Sequence, residues 1–386
     1  MTLARRDMLK YCGWSGAVAM LGGSGQGVAS AQTNRMPIGL ALCIGLNSVN
    51  PNAYRGWKGA LRGCVPDAEF MSSILRPAGF KVRTLWDQDT AKKKNKADDV
   101  GTIANVKKYI RRAALGQNNQ GGLQKGDTFI VTYSGHGSQR TDFNNDESDS
   151  KDETWCLFDG EMVDDERAEL WTLFNPGVKI VLISDSCHSG SVARAMRSKD
   201  ALIEAARDVM ESDAAEASRS GARTRDLEPP RLDEWIDNLN QMSEKVKQRS
   251  LSRDAVPDMD ALNEYVPFRI MPEEVRGILD NDSDYQAQAA AQTQNIPREV
   301  AQLRNDKLKT RVLAIGACQD YQTAGDLSTN GLFTARLKQV WNGRQARTYG
   351  EFFSLIRKAM PDHQMPNLDV FGQLNPDIES LSPFVV

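Results

Sequence analysis

The chain has 386 residues, of which 40% are hydrophobic, 26% charged and 7% aromatic, as is typical of a globular protein. Its 48 basic residues stand against 51 acidic ones, and the resulting net charge of −3 argues against electrostatic binding of nucleic acid. No run of 18 or more apolar residues is present, so a stable membrane span is not expected. The length allows two or three domains, or one large domain with an insertion.

The amino terminus has the pattern of an export signal. Arg5 and Arg6 precede a short apolar stretch at 11–21, and the small residues Ala29-Ser30-Ala31 follow. This order predicts a twin-arginine signal peptide over residues 1–31 and an exported protein, periplasmic or secreted. The alternative is a disordered basic tail. Removal of the signal leaves five cysteines, without zinc-type spacing, so at least one thiol is unpaired in a monomer. The oligomeric state stays open, with a monomer favoured.

Strand and helix patterns then alternate along the chain. Apolar runs predict strands, and apolar residues at helical spacing predict helices, one of them with Thr102 as its N-cap. The predicted strands are 38–45, 82–86, 128–133, 178–183 and 311–318, with a last extended segment at 368–374, and the predicted helices are 70–75, 103–115, 332–341 and 349–360. Such alternation predicts an α/β fold with a mostly parallel sheet that is covered on both faces.

Residues 195–310 differ in character from the rest of the chain. They are charged and only weakly periodic, and they lie between two predicted strands. We therefore expect an insertion into one sheet, which divides the chain into the signal 1–31, a region 32–194, the insertion 195–310 and a final region 311–386. Residues 218–230 are typical of an exposed linker, whereas one amphipathic stretch favours a stable helical cap over the sheet edge. That stretch contains Trp235, Ile236, Leu239 and Met242.

Two reactive side chains follow two of the predicted strands. His136 lies in a Gly-His-Gly turn after the strand 128–133, and Cys187 comes just after the strand 178–183. Reactive groups in α/β sheets gather beyond the carboxyl ends of strands, so a thiol and its base are expected to meet there. The backbone N–H groups of Gly137 and Cys187 could stabilise an oxyanion. Each residue alone could instead be structural, a core thiol or a turn histidine. His188 is expected to be structural because adjacent side chains point apart.

These strings resemble the metacaspases, which are caspase-like cysteine peptidases. The resemblance rests on Tyr133-Ser134-Gly135-His136-Gly137 and on Asp185-Ser186-Cys187-His188-Ser189-Gly190. It extends to Gly63-Cys64-Val65-Pro66-Asp67-Ala68 and to the strand with Ala317-Cys318-Gln319-Asp320, and covers about 36–194 and 311–386. It implies a caspase-like, mostly parallel six-stranded sheet flanked by helices, with a long, largely helical insertion. The region 32–194 would be a large-subunit region with a Cys187–His136 dyad, and 311–386 a small-subunit-like region that completes the sheet.

The resemblance also implies an acidic substrate pocket. Asp67 and Asp185 match its acidic pair, with Cys64 and Ser134 as neighbours, and such a pocket accepts Arg or Lys and repels Asp. Each aspartate could instead serve as a cap or turn residue. Pro66 stands where the family usually has Asn. Family members are commonly processed between the large and small regions, so any self-cleavage is expected in the insertion, where Arg219, Arg223 and Arg225 crowd the linker.

An acidic segment follows His136. Between Asp142 and Glu166 lie 11 acidic residues in 25. Such density either binds a hard cation or forms a solvated loop. Some metacaspases bind calcium near the active site, and Asp152, Asp164 and Asp165 resemble three of those aspartates. Arg194 stands where a fourth acidic ligand is expected. No cofactor is therefore expected to be required, with activation by Ca²⁺ left open.

The sequence favours a thiol endopeptidase that hydrolyses peptide or protein substrates after Arg or Lys through an acyl-enzyme. Two alternatives stay open. One is a catalytically silent caspase-like binding module, which would need neither His136 nor Cys187. The other is a legumain- or gingipain-like peptidase, against which the string around Cys187 argues.

Overall fold

The apolar runs form a central six-stranded sheet. The computed structural model describes residues 35–145, 150–187, 199–220, 232–250, 258–265, 267–297, 308–319, 322–327, 329–344, 346–372 and 377–386. Its eleven described strands are β1 Gly39–Gly45, β2 Phe80–Trp86, β3 Gly116–Gln117, β4 Gln120–Gly121, β5 Thr128–Ser134, β6 Gly137–Thr141, β7 Lys151–Leu157, β8 Gly160–Val163, β9 Lys179–Asp185, β10 Arg311–Gly316 and β11 Asn367–Gly372.

The strand order of the main sheet is β11-β10-β9-β5-β1-β2. The neighbouring strands pair in parallel except at one edge, where β11 runs antiparallel to β10. The central strand β5 is buried along its whole length, as expected for a strand covered on both faces. The predicted α/β architecture, a mostly parallel six-stranded sheet flanked by helices, is confirmed.

Helices cover both faces of this sheet. Within the described residues the helices are α1 Cys64–Leu75, α2 Gln88–Lys93, α3 Ile103–Leu115, α4 Asp164–Trp171, α5 Lys199–Ser220, α6 Leu232–Ser250, α7 Met259–Leu262, α8 Glu273–Asp280, α9 Ser283–Thr293, α10 Leu332–Gly343 and α11 Tyr349–Ala359. Thr102 caps α3 as predicted, because its hydroxyl accepts a hydrogen bond from the Asn105 N–H at 3.2 Å. None of the helices in the described ranges is long and apolar enough to cross a bilayer.

A second, three-stranded antiparallel sheet lies in the acidic segment. It has the order β6-β7-β8 and leads directly into α4. A solvated loop is therefore the wrong interpretation for residues 151–166 of the acidic segment. In β7, buried and exposed residues alternate only at the start, because the residues from Thr154 to Leu157 are all buried. The sequence therefore lacks the alternating pattern that would have predicted this sheet.

The chain leaves the sheet at the end of β9 and returns to it at β10, which is the neighbouring strand. β9 and β10 pair in parallel, with Lys179 opposite Arg311 and Ser184 opposite Gly316. The described part of that interval contains five helices, α5 to α9. Trp235 and Leu239 on α6 are buried in the same core as residues of β9 and β10, and the Trp235 indole N–H donates to the Asp326 carbonyl at 3.1 Å. α6 thus packs as a cap, as its amphipathic pattern indicates.

Several expectations fall outside the described residues. These are the signal peptide 1–31, His188, Arg194, and the linker arginines Arg223 and Arg225. They stay predictions.

Candidate active site

His136 and Cys187 lie beyond the carboxyl ends of two adjacent parallel strands. The register pairs Ser134 of β5 with Asp185 of β9, so each reactive residue comes two positions after its strand ends. Gly137 packs directly on the Cys187 backbone, and a Cβ at Gly137 would lie 1.7 Å from the Cys187 carbonyl oxygen. Only glycine fits at this position. The sheet thus brings the two predicted catalytic residues to neighbouring positions at one edge.

One carbonyl oxygen receives both N–H groups that the sequence indicated as oxyanion donors. Gly137 N–H and Cys187 N–H donate to the Arg269 carbonyl at 3.0 and 3.2 Å. Two converging backbone donors on one oxygen are the arrangement that stabilises negative charge in acyl transfer. Arg269 belongs to the region between β9 and β10, so the chain itself fills this position.

The His136 side chain is buried and neutral. Its ring packs on Trp57 with centroids 4.7 Å apart, and within the described part of the chain neither ring nitrogen makes a hydrogen bond. The backbones of Gly59 and Ile270 lie beside it. Burial first, and then the nearby Arg269 cation, lowers the pKa of His136 to about 3. A neutral imidazole is the form that can accept a proton from a thiol.

The Cys187 side chain is also buried. Its Sγ accepts a hydrogen bond from the Ala324 N–H and lies 3.9 Å from the Ala324 carbonyl oxygen. Every cysteine in the described ranges is a free thiol and buried. Burial raises the pKa of Cys43 to about 12, and Cys43 and Cys318 are core residues as expected. Cys187 is set apart by its place at the sheet edge beside Gly137.

An acidic pocket lies next to the two residues. The Arg269 guanidinium lies inside it, with Nη1 2.8 Å from Asp67 Oδ2 and 3.0 Å from Asp185 Oδ2. Its Nη2 lies 2.9 Å from Asp326 Oδ1, and Nη1 also donates to the Ser134 hydroxyl at 2.8 Å. The guanidinium is fully buried, at 0% exposure.

Each carboxylate of the pocket is oriented by further hydrogen bonds. The Asp67 carboxylate accepts from the Ser134 hydroxyl and the Asn330 amide, both at 2.7 Å. Asp185 accepts from the Thr334 N–H and hydroxyl at 3.0 and 2.6 Å. Asp326 accepts at 2.9 Å from the N–H groups of two residues, Arg62 and Gly63, that precede α1. The pocket is therefore preorganised for a cation.

Burial and charge act in opposition on the ionisable groups of the pocket. Burial raises the pKa of Asp67 to about 7, against the lowering effect of the Arg269 cation. Burial also opposes ionisation of Arg269, but the carboxylates of Asp185, Asp67 and Asp326 outweigh it and hold the Arg269 pKa well above its usual range. Three carboxylates around one guanidinium make a site that selects for a buried cation.

All four residues expected in the substrate pocket surround this guanidinium. Cys64 lies beside Ser134 and Arg269, where burial raises the pKa of its thiol. Pro66 lies in the first turn of α1, where a missing N–H costs little, and so Asp67 still reaches Ser134. The residues that the sequence analysis expected there are Cys64, Asp67, Ser134 and Asp185.

Sequence reasoning missed Asp326, Asn330, Thr334 and Arg269. Asp326 follows β10, the strand next to β9, so its loop belongs to the same sheet edge that carries the other two groups. Arg269 had a local signal, because Phe268-Arg269-Ile270-Met271 is an apolar stretch between Pro267 and Pro272 within a polar region. Two flanking prolines favour an extended segment.

The three aspartates expected to hold calcium lie on β7 and at the start of α4. Both carboxylate oxygens of Asp152 are buried and, within the described ranges, without a hydrogen bond, as is Oδ1 of Asp164. Burial, together with the carboxylates of Asp164 and Asp165, raises the pKa of Asp152 to about 8. Asp165 accepts a hydrogen bond from the Asn144 amide at 2.6 Å. The described side chains contain no group of three acidic, cysteine or histidine residues close enough to hold an ion.

Comparison with known proteins places these residues in a family context. The family model described as "Metacaspase, peptidase C14 domain" matches residues 40–196. Metacaspase-3 of Arabidopsis thaliana is 32% identical over 36% of this chain and 38% of its own length. Metacaspase-1 of Coccidioides immitis is 33% identical over 46% of this chain and 37% of its own length. The chain thus spans well under half of the length of these curated relatives.

A solved structure resembles nearly the whole chain. A Geobacter sulfurreducens protein of known crystal structure is 32% identical, with a TM-score of 0.60, and the match covers 91% of this chain and 99% of that one. The likeness therefore includes the region between β9 and β10 as well as the sheet.

We expect the His136 ring to stay neutral between about pH 5 and 8, since its pKa of about 3 lies below the usual 6.5. The unfolded chain then takes up a proton before the folded one, so His136 lowers the free energy of unfolding as the pH falls from 6.5 toward 3. NMR titration of the ring protons in Cys187→Ala would measure this, with His136→Gln to assign the resonance. A midpoint near 6.5 would contradict the buried, neutral ring.

Proposed function

The chain belongs to the metacaspase family, and we propose that it is a cysteine endopeptidase that cleaves peptide bonds after arginine or lysine through a Cys187–His136 dyad. One observation carries this proposal. A peptide segment of the chain has its arginine side chain among three carboxylates and its carbonyl oxygen on two backbone N–H groups next to Cys187. That is the pose an arginine substrate would need before its carbonyl is attacked.

In the proposed mechanism Cys187 is the nucleophile. His136 removes the thiol proton, and Sγ attacks the carbonyl carbon of the bound arginine or lysine. The N–H groups of Gly137 and Cys187 stabilise the developing oxyanion, and His136 then gives the proton to the leaving amine. Water hydrolyses the resulting thioester and restores the thiol. The low pKa of His136 suits a group that must be unprotonated at the start.

Selection of the cleavage position follows from the pocket charge. Asp67, Asp185 and Asp326 are all buried and hydrogen-bonded, so they would repel an aspartate side chain without any means of screening it. Arginine can satisfy several of them at once through its planar fork, whereas lysine offers a single point charge. We therefore propose the order arginine, then lysine, with aspartate excluded.

The dyad is tested with reporter peptides that end in Arg, Lys or Asp. We expect the purified full chain to hydrolyse the first two, and Cys187→Ala and His136→Ala each to lower kcat by about 10³-fold or more. The double variant should be little worse than either single variant, because the two residues act as a unit. Cys43→Ala, at another buried thiol, is the matched control and should remain active.

Retained hydrolysis in Cys187→Ala would refute the dyad. A folded wild-type chain that hydrolyses none of the three reporters would favour a binding module, and hydrolysis of the Asp reporter alone would contradict an acidic substrate pocket.

Asp326 provides a separate test of specificity. Removing one charge that faces a buried cation costs about 2–5 kcal/mol, so Asp326→Asn and Asp185→Asn should lower kcat/KM for the Arg reporter by about 30- to 4,000-fold. The exposed Asp369 on β11 gives the control Asp369→Asn, which should leave kcat/KM unchanged. An unaltered Arg preference in both pocket variants would place the cation site elsewhere.

We also propose that Ca²⁺ binds at Asp152 together with Asp164 and Asp165. Support comes from the two buried Asp152 oxygens, which make no hydrogen bond within the described ranges and are the hard ligands that Ca²⁺ prefers. Burial and the carboxylates of Asp164 and Asp165 raise the Asp152 pKa, although Arg140 Nε lies 3.9 Å from Asp152 Oδ2. The side chains must move closer together to hold the ion, since the described ones form no ready group of three. When bound, the ion would neutralise this charge beside β6, the strand that begins at Gly137.

Calcium binding is tested by thermal unfolding of Cys187→Ala with and without millimolar CaCl₂. We expect Ca²⁺ to raise the Tm, and Asp152→Asn to abolish that shift because it removes a central ligand charge. Magnesium chloride controls for ionic strength. An identical Tm with and without Ca²⁺ would contradict the site, whatever the peptidase activity.

A further inference from the structure

The segment 267–271 crosses the active site as an extended strand. It pairs with Gly137 on one side, through Ile270, and with Gly325 on the other, through Phe268. Arg269 N–H donates to the Ala324 carbonyl at 3.0 Å, and Met271 N–H donates to the Gly137 carbonyl at 2.9 Å. Backbone pairing on both sides is the general way in which an extended peptide is held at a sheet edge.

The segment lies as a bound substrate would on either side of the Arg269–Ile270 peptide bond. Before the bond, the Arg269 side chain occupies the acidic pocket and its carbonyl oxygen faces the two oxyanion donors. After the bond, the Ile270 backbone lies beside the His136 ring and Met271 is fixed to Gly137. The residues 268 to 271 are each at most 3% exposed, so no second peptide can enter while the segment stays.

We propose that the chain cuts its own Arg269–Ile270 bond, and that until this cut the segment 267–271 blocks the acidic pocket against other substrates. The inference rests on the proposed peptidase activity and names its first substrate. It differs from the linker hypothesis, since Arg219 belongs to α5 and the other two linker arginines are outside the described residues.

The reaction balances with water as the only co-reactant. Cys187 Sγ bonds to the Arg269 carbonyl carbon, the C–N bond to Ile270 breaks, and the thiol proton passes through His136 to the Ile270 nitrogen. Water then hydrolyses the thioester, which leaves a carboxylate on Arg269 and returns the thiol. The new amino terminus at Ile270 and the new carboxylate at Arg269 have no covalent link, so the segment can leave the pocket.

Intact mass and amino-terminal analysis test the cut directly. We expect wild type to yield a fragment that begins at Ile270, and Cys187→Ala to yield none. Arg269→Lys should still be cut because the pocket accepts either cation, whereas Arg269→Gln should not be cut at this bond. Arg357→Gln, at an exposed arginine on α11, is the matched control and should be cut as wild type is. A wild-type chain that hydrolyses Arg reporters yet stays whole at 269 would overturn the inference while leaving the peptidase intact.

Blocking is tested by the time course of reporter hydrolysis. Wild type should show a lag that ends as the 269 cut accumulates. Arg269→Gln is not cut and keeps the backbone bonds that hold the segment, so its rate should stay at the low initial value throughout. A wild type without a lag, or an uncut Arg269→Gln that reaches the final wild-type rate, would overturn the blocking role.

A third measurement does not depend on catalysis. In Cys187→Ala/Arg269→Gln the three pocket carboxylates lack their cation, and 10 mM agmatine, which carries a guanidinium, should raise its Tm by several degrees. Cys187→Ala with Arg269 in place should show a much smaller shift. Equal shifts would overturn pocket occupancy by Arg269. A large Tm shift in Cys187→Ala/Arg269→Gln alone, together with no reporter hydrolysis by wild type, would show that Arg269 occupies the pocket and that the peptidase proposal is wrong.

Discussion

The buried cluster of one guanidinium and three carboxylates ties the separate parts of this molecule together. Asp67 comes from α1, Asp185 from the end of β9, Asp326 from the loop after β10, and Arg269 from the region between those two strands. A buried charge without a partner is strongly destabilising, so each element holds the others in place. In the proposed peptidase the same cluster would make the pocket selective, because a cation must be present for the carboxylates to stay ionised.

The sequence could show the sheet and its reactive edge because those features are local. The apolar runs of β1, β5 and β9 predict buried strands without further information. Because parallel strands bring their carboxyl ends to one edge of the sheet, the sequence also predicts that His136 and Cys187 lie close together. Asp67 and Asp185 could be named only through resemblance to a family, since nothing in their local pattern distinguishes a pocket carboxylate from a helix or turn cap.

The rest depends on contacts between distant positions. Arg269 lies 202 residues from Asp67 and 57 from Asp326, and no periodicity relates them. The strands β6 to β8 were hidden because acidic side chains such as Glu161 are buried there, where Arg276 and Thr154 satisfy them. The helix α5 carries so many charged residues that its buried stripe, with Leu202 and Val209, is narrow and shows only in the packing. The helix α6 is the exception, because the spacing of Trp235 and Leu239 already indicated a cap.

The strand order has a consequence for the integrity of the folded molecule. β10 lies between β9 and β11 in the sheet, although more than 120 residues separate β9 from β10 along the chain. A single break anywhere in that interval leaves both pieces with strands in the same hydrogen-bonded sheet and residues in the same core. The product would be a two-chain protein assembled from one polypeptide, whose halves are held by an interface as extensive as a domain interior and separate only when the whole sheet unfolds.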